Sequence, residues 1–242
     1  IIMNKKDAIK SYSYLLTEKS KISDNDIQLL YILKYLPKDK KIRILDAGCG
    51  NGRYAEKIKN KGYSKIFGLD LFPKLKETNF NYINGSLDKL PFEKNYFDFI
   101  YCNSAIYYLD DINKGFSELN RVLKKKGKLI ITVPTKSSIF TLWRKLKRIF
   151  RCKSVNHLKG IKFYSQKEYV SFLKKNEFKI ILIDGYRLSF FLYPLYHKFV
   201  RFCEIYLHIN LPEPKNKITK SKLMRNIKSI LGYHMIIVSK KN

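Results

Sequence analysis

Ile42-Arg43-Ile44-Leu45-Asp46-Ala47-Gly48-Cys49-Gly50-Asn51-Gly52-Arg53-Tyr54 reads as an apolar strand, a turn with glycine at alternate positions, and the start of a helix. A second short strand, Lys65-Ile66-Phe67-Gly68-Leu69, follows and ends in Asp70. Glycines let a backbone turn tightly and approach a ligand that side chains would block. An acidic residue at the tip of the next strand accepts hydrogen bonds from ribose hydroxyls. Together they specify a nucleoside-containing cofactor lying over the strand ends of an α/β sheet. The dinucleotide fingerprint G-x-G-x-x-G is a poor match, because the spacing here is Gly48-x-Gly50-x-Gly52 and Asp46 stands just before it. A carboxylate there repels a pyrophosphate and attracts a cationic amino group.

The chain beyond this run keeps the same grammar. Asn79 to Ile83 gives a third apolar edge, followed by Gly85-Ser86-Leu87. Leu90 to Cys102 reads as a loop leading into a fourth strand. Ile112 to Leu123 has helical spacing, with Ile112, Phe116, Leu119, Val122 and Leu123 on one side. Gly127 punctuates the chain before Leu129-Ile130-Ile131-Thr132-Val133, a run suited to a strand buried on both faces. Strands alternating with helical patterns predict an α/β, Rossmann-like fold with a mostly parallel sheet and helices on both sides.

Strand-Asp-x-Gly-x-Gly-x-Gly resembles motif I of the class I S-adenosylmethionine-dependent methyltransferases. The blocks "LPFEKNYFDFI" and "ELNRVLKKKGKLIITVP" resemble the type 11 group of that family, which includes quinone-biosynthesis enzymes. The resemblance covers about residues 40 to 134 and speaks to fold and cofactor more than to substrate. It implies a seven-stranded sheet with S-adenosyl-L-methionine as cofactor. It also implies roles for particular residues. Asp46 is expected near the cofactor's amino group, and Gly48, Cys49, Gly50 and Gly52 beside its homocysteine portion. Asp70 is expected to hold both ribose hydroxyls and Leu71 to flank the adenine. Ser86 and Leu87 would border the adenine edge, with Ser86 standing where the family often has Asp. Cys102 and Asn103 would line the cleft. His157, in "NHLKGIKFYS", resembles a histidine often found before the same helix in type 11 enzymes, and is the candidate catalytic base. A reference pKa near 6.5 suits that task. The Asn/Asp-Pro-Pro-Tyr/Phe signature of enzymes that methylate amino groups of bases is missing after Asn103, where Ser104, Tyr107 and Tyr108 follow.

The chain has 242 residues, long enough for one α/β domain. Three regions flank or interrupt the scaffold. Residues 1–38 form an N-terminal helical cover, with Asp24 the expected N-cap of a helix over Ile27 to Leu36 and Tyr12 or Tyr14 over the cofactor. Residues 136–162 carry a basic amphipathic stretch in which Ile139, Leu142, Trp143, Leu146, Ile149 and Phe150 share a face. That face either packs as an active-site lid or rests on an anionic membrane surface. Residues 186–230 form an apolar, then basic, insertion before a closing strand over Tyr233 to Val238. The insertion suits a cap over a greasy or lipid-like small-molecule acceptor, a docking surface, or a homodimer contact. Ser165 with Glu168 reads as a capping box opening a helix ahead of the strand Phe178 to Ile183.

A net charge of +29 invites a polyanion, but 40 of the 49 basic residues are Lys and only nine Arg. Arginine is the usual instrument of bidentate phosphate or base recognition, so RNA ranks below a small-molecule acceptor. An RNA or protein methyltransferase and a non-catalytic partner subunit are the alternatives. Cys49, Cys102, Cys152 and Cys203 show neither metal-ligand nor disulfide-scaffold spacing. The four histidines form no metal motif, and no run reaches the roughly 18 uncharged apolar residues of a spanning helix. The expectation is a metal-free cytoplasmic enzyme, peripheral to the membrane if the 139–153 face docks there.

Overall fold

The structure is a computed structural model that describes residues 22–73, 77–136, 162–186, 218, 221, 223, 225 and 234–242. The elements in chain order are α1 (Ile27–Tyr35), β1 (Arg43–Ala47), α2 (Arg53–Lys59), β2 (Lys65–Asp70), β3 (Asn81–Asn84) and β4 (Phe97–Asn103). A 3-10 turn (Ile106–Tyr108) follows, then α3 (Ile112–Val122), β5 (Leu123–Pro134), α4 (Gln166–Lys175), β6 (Phe178–Tyr186) and β7 (His234–Lys241). One seven-stranded sheet runs in the order β3-β2-β1-β4-β5-β7-β6. All neighbours pair in parallel except β7, which is antiparallel to both β5 and β6.

Side chains alternate across a strand, and this alternation splits the core in two. Leu45, Ile100, Cys102, Ile131 and Ile237 face one layer with Phe116, Leu119 and Tyr169 from α3 and α4. Ile44, Phe99, Tyr101, Ile130 and Val238 face the other, with Leu29, Tyr31 and Ile32 of α1 and Tyr54, Ala55 and Ile58 of α2. The strands are therefore apolar on both sides, as a sheet between helix layers requires.

Helix ends follow local chemistry. The N-cap of α1 is Asp26, not the expected Asp24: its side chain accepts from Gln28 N at 2.9 Å and Leu29 N at 3.0 Å. Asp24 lies before the cap and pairs with Lys57 at 2.9 Å. The helix stops at Tyr35 because Leu36, which precedes Pro37, is extended. The capping box of α4 is present as read, with Ser165 N donating to Glu168 at 2.7 Å and Glu168 N to Ser165 at 3.3 Å.

The strands differ from expectation mainly in their ends. β3 starts at Asn81 and not Asn79, β6 runs on to Tyr186, and β7 extends to Lys241. β5 begins at Leu123, directly after α3, six residues before the apolar run. Leu123 pairs with Phe97 across an irregularity, and Lys126 takes a φ of +64° there. Gly127 sits inside this irregularity: a Cβ would fall 2.8 Å from the Lys124 carbonyl oxygen.

The Lys241 amine closes the α3–β5 junction. It donates to Asn120 O at 2.7 Å, Leu123 O at 2.8 Å and Asn95 Oδ1 at 2.9 Å. Lys241→Met keeps the buried stem but leaves those acceptors without their donor. A stability loss of about 1–3 kcal/mol is expected, read as a lower urea midpoint. An unchanged midpoint contradicts this role.

Candidate functional site

The carboxyl ends of β1, β2 and β4 meet at the glycine turn. Gly48, Gly50 and Gly52 have φ of +80°, +55° and +75°, a region that L side chains rarely adopt. Gly48 N and Cys49 N both donate to Leu69 O, at 2.7 and 3.0 Å, which lashes the turn to the end of β2. Two of the glycines are also pressed by packing. A Cβ on Gly48 would stand 2.2 Å from Ala105 Cβ, and one on Gly52 2.3 Å from the Phe80 ring. Phe80 meets Gly68 in the same way, at 2.5 Å. The sequence reading missed Phe80 and Ala105 because nothing local marks a residue that wedges under a distant loop.

Asp70 is the joint of the site. Its Oδ2 accepts from Gly50 N at 2.7 Å and its Oδ1 from Phe72 N at 3.1 Å. Its carbonyl accepts from Gly85 N at 2.9 Å and from the Asn84 side-chain amide at 3.2 Å. Burial pushes its carboxyl above the ordinary range, while the N–H groups of Phe72, Gly50 and Leu71 pull the other way. Beside it, Leu71 is an exposed apolar side chain, 51% accessible. Leu87 is buried below the turn, and Ser86 pairs with Lys89 in an isolated bridge.

Asp46 lies under the turn and is almost fully buried. It stands in register with Tyr101 on β4. Burial drives its carboxyl up to about 8; the Tyr101 hydroxyl, Arg53 and the Ala55 N–H favour the charged form, and the Asp70 charge opposes it. Neither Asp46 Oδ2 nor the Tyr101 hydroxyl completes a hydrogen bond of ordinary geometry. A buried carboxyl oxygen without a partner is costly, and a cationic ligand group nearby would relieve it.

At the end of β4, Asn103 Oδ1 accepts from the Thr132 hydroxyl at 2.9 Å, while its Nδ2 is buried without a partner. Ser104 follows with a φ of +56° and donates its N–H to Thr132 O at 2.9 Å. Cys102 is wholly buried in the core, so its thiol does not line a cleft as expected; its place at the strand end leaves the backbone. Burial pushes that thiol up to about 12. Cys49 is buried as well. Tyr107 is buried and Tyr108 exposed, their ring centroids 4.7 Å apart.

A polar strap joins this edge to α1. The Tyr54 hydroxyl, two residues after Gly52, lies 2.6 Å from Gln28 Oε1 and 3.1 Å from Asp26 Oδ1. The Gln28 amide in turn donates to the Tyr186 hydroxyl at the end of β6. The Tyr186 ring stacks on His234, with centroids 5.4 Å apart. Sequence reading treated Tyr54 only as part of a helix start. His157, Tyr12, Tyr14, the 139–153 stretch and the 188–209 segment lie outside the described residues.

The donors present fit a nucleoside cofactor that carries positive charge. A carboxylate stands at the tip of β2, bare backbone lies along the turn, and a buried acid with one oxygen unpartnered lies beneath it. Sheet order, turn and acid together define the class I S-adenosylmethionine-dependent methyltransferase fold. Residues 45–131 match the type 11 methyltransferase family, described as a methyltransferase domain, and form a domain of that kind. The chain is 31% identical over 104 residues to a malonyl-[acyl-carrier protein] O-methyltransferase of Buchnera aphidicola, covering 41% of this chain and 42% of that protein. It is 28% identical over 107 residues to a demethylmenaquinone methyltransferase of Chlorobaculum tepidum, covering 42% and 44%. A methyltransferase structure from Archaeoglobus fulgidus superposes with a TM-score of 0.59 at 20% identity, covering 95% of this chain and all of that one, a likeness of fold. The chain spans about half the length of the first curated relatives it matches. Among the described residues, no helix is long and apolar enough to cross a membrane.

The Asp46 shift has a pH consequence. Its folded value, about 8, stands above an ordinary value of about 3.9. The stability it contributes is full below the ordinary value and is lost as pH rises through about 8. Asp46→Asn removes that loss. Between pH 5 and about 8.5 the melting temperature of the wild type should fall several degrees relative to Asp46→Asn. Parallel curves would show that Asp46 is ionised throughout.

Proposed function

We propose that this chain transfers a methyl group from S-adenosylmethionine to oxygen or carbon of a small, partly apolar acceptor, with the carboxylate of a malonyl-type thioester as the leading class. The observation that carries the reading is the Asp70 carboxylate bonded to the Gly50 N–H at the carboxyl edge, one strand away from Asp46 and two from Asn103. The names of the malonyl-[acyl-carrier protein] O-methyltransferases among its relatives support the acceptor class.

The cofactor supplies the electrophilic methyl and its leaving group, so the protein's work is to hold and align. Asp70 takes the ribose hydroxyls, whose bonds add to those it accepts from the backbone. Leu71 covers one adenine face, and Ser86 with Leu87 borders its edge. Asp46, with Gly48, Cys49, Gly50 and Gly52, holds the ammonium end through charge and backbone. Asn103 lines the cleft at the end of β4, and its unpaired amide would offer a hydrogen bond there, with Thr132 fixing which way the amide faces. Alignment of this kind accounts for much of the rate of a displacement.

Acceptor chemistry decides whether a base is needed. A carboxylate is ionised at neutral pH and needs none, whereas a hydroxyl or enol needs a proton acceptor, the role assigned to His157. A lipid-like acceptor would bring in the basic stretch 139–153 as a contact with an anionic membrane, and the 186–230 insertion as its cap. The test is to incubate the chain with methyl-labelled cofactor and, separately, malonyl thioester, lipid extract, small-molecule extract and RNA. Mass spectrometry should place label on the malonyl carboxyl or another small acceptor. Label in RNA alone contradicts the reading.

A further inference from the structure

The carbonyls of Asp70, Leu71 and Phe72 follow one another at the exit from β2, and β3 takes all of them. The Asn84 side-chain amide donates to Asp70 O at 3.2 Å and to Leu71 O at 2.9 Å. The Tyr82 hydroxyl donates to Phe72 O at 2.8 Å. Gly85 N adds a further bond to Asp70 O, at 2.9 Å. From the other side the Asp70 carboxylate accepts Phe72 N at 3.1 Å, an Asx-type turn that folds the loop back on its own first residue.

Register brings both side chains within reach. Tyr82 pairs with Gly68 and Asn84 with Asp70, so the two β3 side chains share the face that carries Asp70. Asp46 pairs with the same Gly68 from β1, which puts Asp46, Gly68 and Tyr82 on one line across three strands. Gly68 adds no side chain to that line, and its neighbours close the gap. A Cβ there would meet the Phe80 ring at 2.5 Å and Cys49 Sγ at 2.9 Å. Burial first, then Cys49, Asp70 and Asp46 beside it, push the Tyr82 phenol above its ordinary value. It therefore stands as a neutral donor at physiological pH.

A strand end needs none of this merely to stop. β3 is a short edge strand, Asn81–Asn84, already paired to β2 through its backbone. Among the described residues, the side-chain hydrogen bonds of β3 all run to Asp70 and the two residues after it. Leu71 is exposed, and water satisfies the carbonyl of an exposed residue without help from a side chain. The loop is thus ordered beyond what folding asks of it. Order of this kind matters to a ligand, because a carboxylate that is already aimed loses little freedom on binding. With its carbonyls drawn to β3, the loop leaves the Asp70 carboxylate and the Leu71 side chain to meet a nucleoside.

We propose that Tyr82 and Asn84 are positioning residues for the nucleoside half of the cofactor, holding the backbone from Asp70 to Phe72 against β3 so that the Asp70 carboxylate is aimed at the ribose hydroxyls. The proposal rests on the reading that Asp70 takes those hydroxyls. Both side chains act through Asp70, and both set the preference for ribose over a sugar that lacks its hydroxyls.

Isothermal titration with S-adenosylhomocysteine and with its 2′,3′-dideoxy analogue tests it on three proteins: the wild type, Tyr82→Phe combined with Asn84→Ala, and Asp70→Ala. The quantity read is the ratio of the two dissociation constants in each protein, in which any change in folded fraction cancels. The wild type should prefer the ribose form by about tenfold or more, as hydrogen bonds to a charged group do. In the double variant that ratio should fall at least about threefold, the coupling expected of groups in one network. 5′-Methylthioadenosine keeps the ribose and lacks the amino-acid portion, so the double variant should weaken it by the same factor as S-adenosylhomocysteine. A loss confined to S-adenosylhomocysteine puts the effect at the amino-acid end, beside Asp46, and overturns the proposal. A ratio unchanged in the double variant but lost in Asp70→Ala overturns it too, and leaves the Asp70 reading standing. No ribose preference in the wild type, or one that survives in Asp70→Ala, overturns the Asp70 reading and this proposal with it.

Discussion

One buried carboxylate holds the cofactor edge in shape. Asp70 accepts the Gly50 N–H with one oxygen and the Phe72 N–H with the other, while its own carbonyl takes Gly85 N and the Asn84 amide. Through that one residue the turn after β1, the exit from β2 and the end of β3 become a single piece. The glycines follow from it: a turn drawn back to Leu69 O and Asp70 at such short range needs φ values that only glycine adopts without strain. The raised carboxyls of Asp70 and Asp46 are the cost of keeping two acids in a dry place. Ligand groups that donate hydrogen bonds or carry positive charge would lower that cost.

The rest of the sheet separates chemistry from support. The middles of β1, β4 and β5 are apolar on both faces, and Asp46, Asn103 and Thr132 interrupt that pattern toward the carboxyl ends. Thr132 is bonded to Asn103 across neighbouring strands and Asp46 stands beside Tyr101 on the next strand, so the site moves with the sheet and not with a loop. The strap from Tyr54 through Gln28 to Tyr186 extends the same rigidity to α1 and to β6, outside the cofactor end. The methyltransferase domain is thus a frame whose working parts sit where strands stop.

What was legible in the chain was the part governed by local pattern. The strand-glycine-helix run, the Asp70 tip, the amphipathic face of α3 and the Ser165 capping box all stand as read. The N-cap slipped from Asp24 to Asp26 because both are good caps on paper, and Lys57 takes Asp24 while Tyr54 supports Asp26. β5 ran earlier than its apolar run because Leu123 finds Phe97 across the sheet, a pairing that lysines at 124–126 hide. Phe80, Ala105 and Thr132 were invisible for a shared reason. Each acts on a residue far away in sequence, and packing of that kind leaves no periodicity.

The account stands or falls on Asp70 and the glycine turn forming the seat of a cationic nucleoside. Isothermal titration of the wild-type chain and Asp70→Ala with S-adenosylhomocysteine, with NAD as comparator, addresses this directly. The account predicts saturable binding by the wild type, an affinity at least about tenfold weaker for Asp70→Ala given two lost charge-assisted bonds, and no heat from NAD. Equal affinity in the two proteins, or binding of NAD alone, would contradict it.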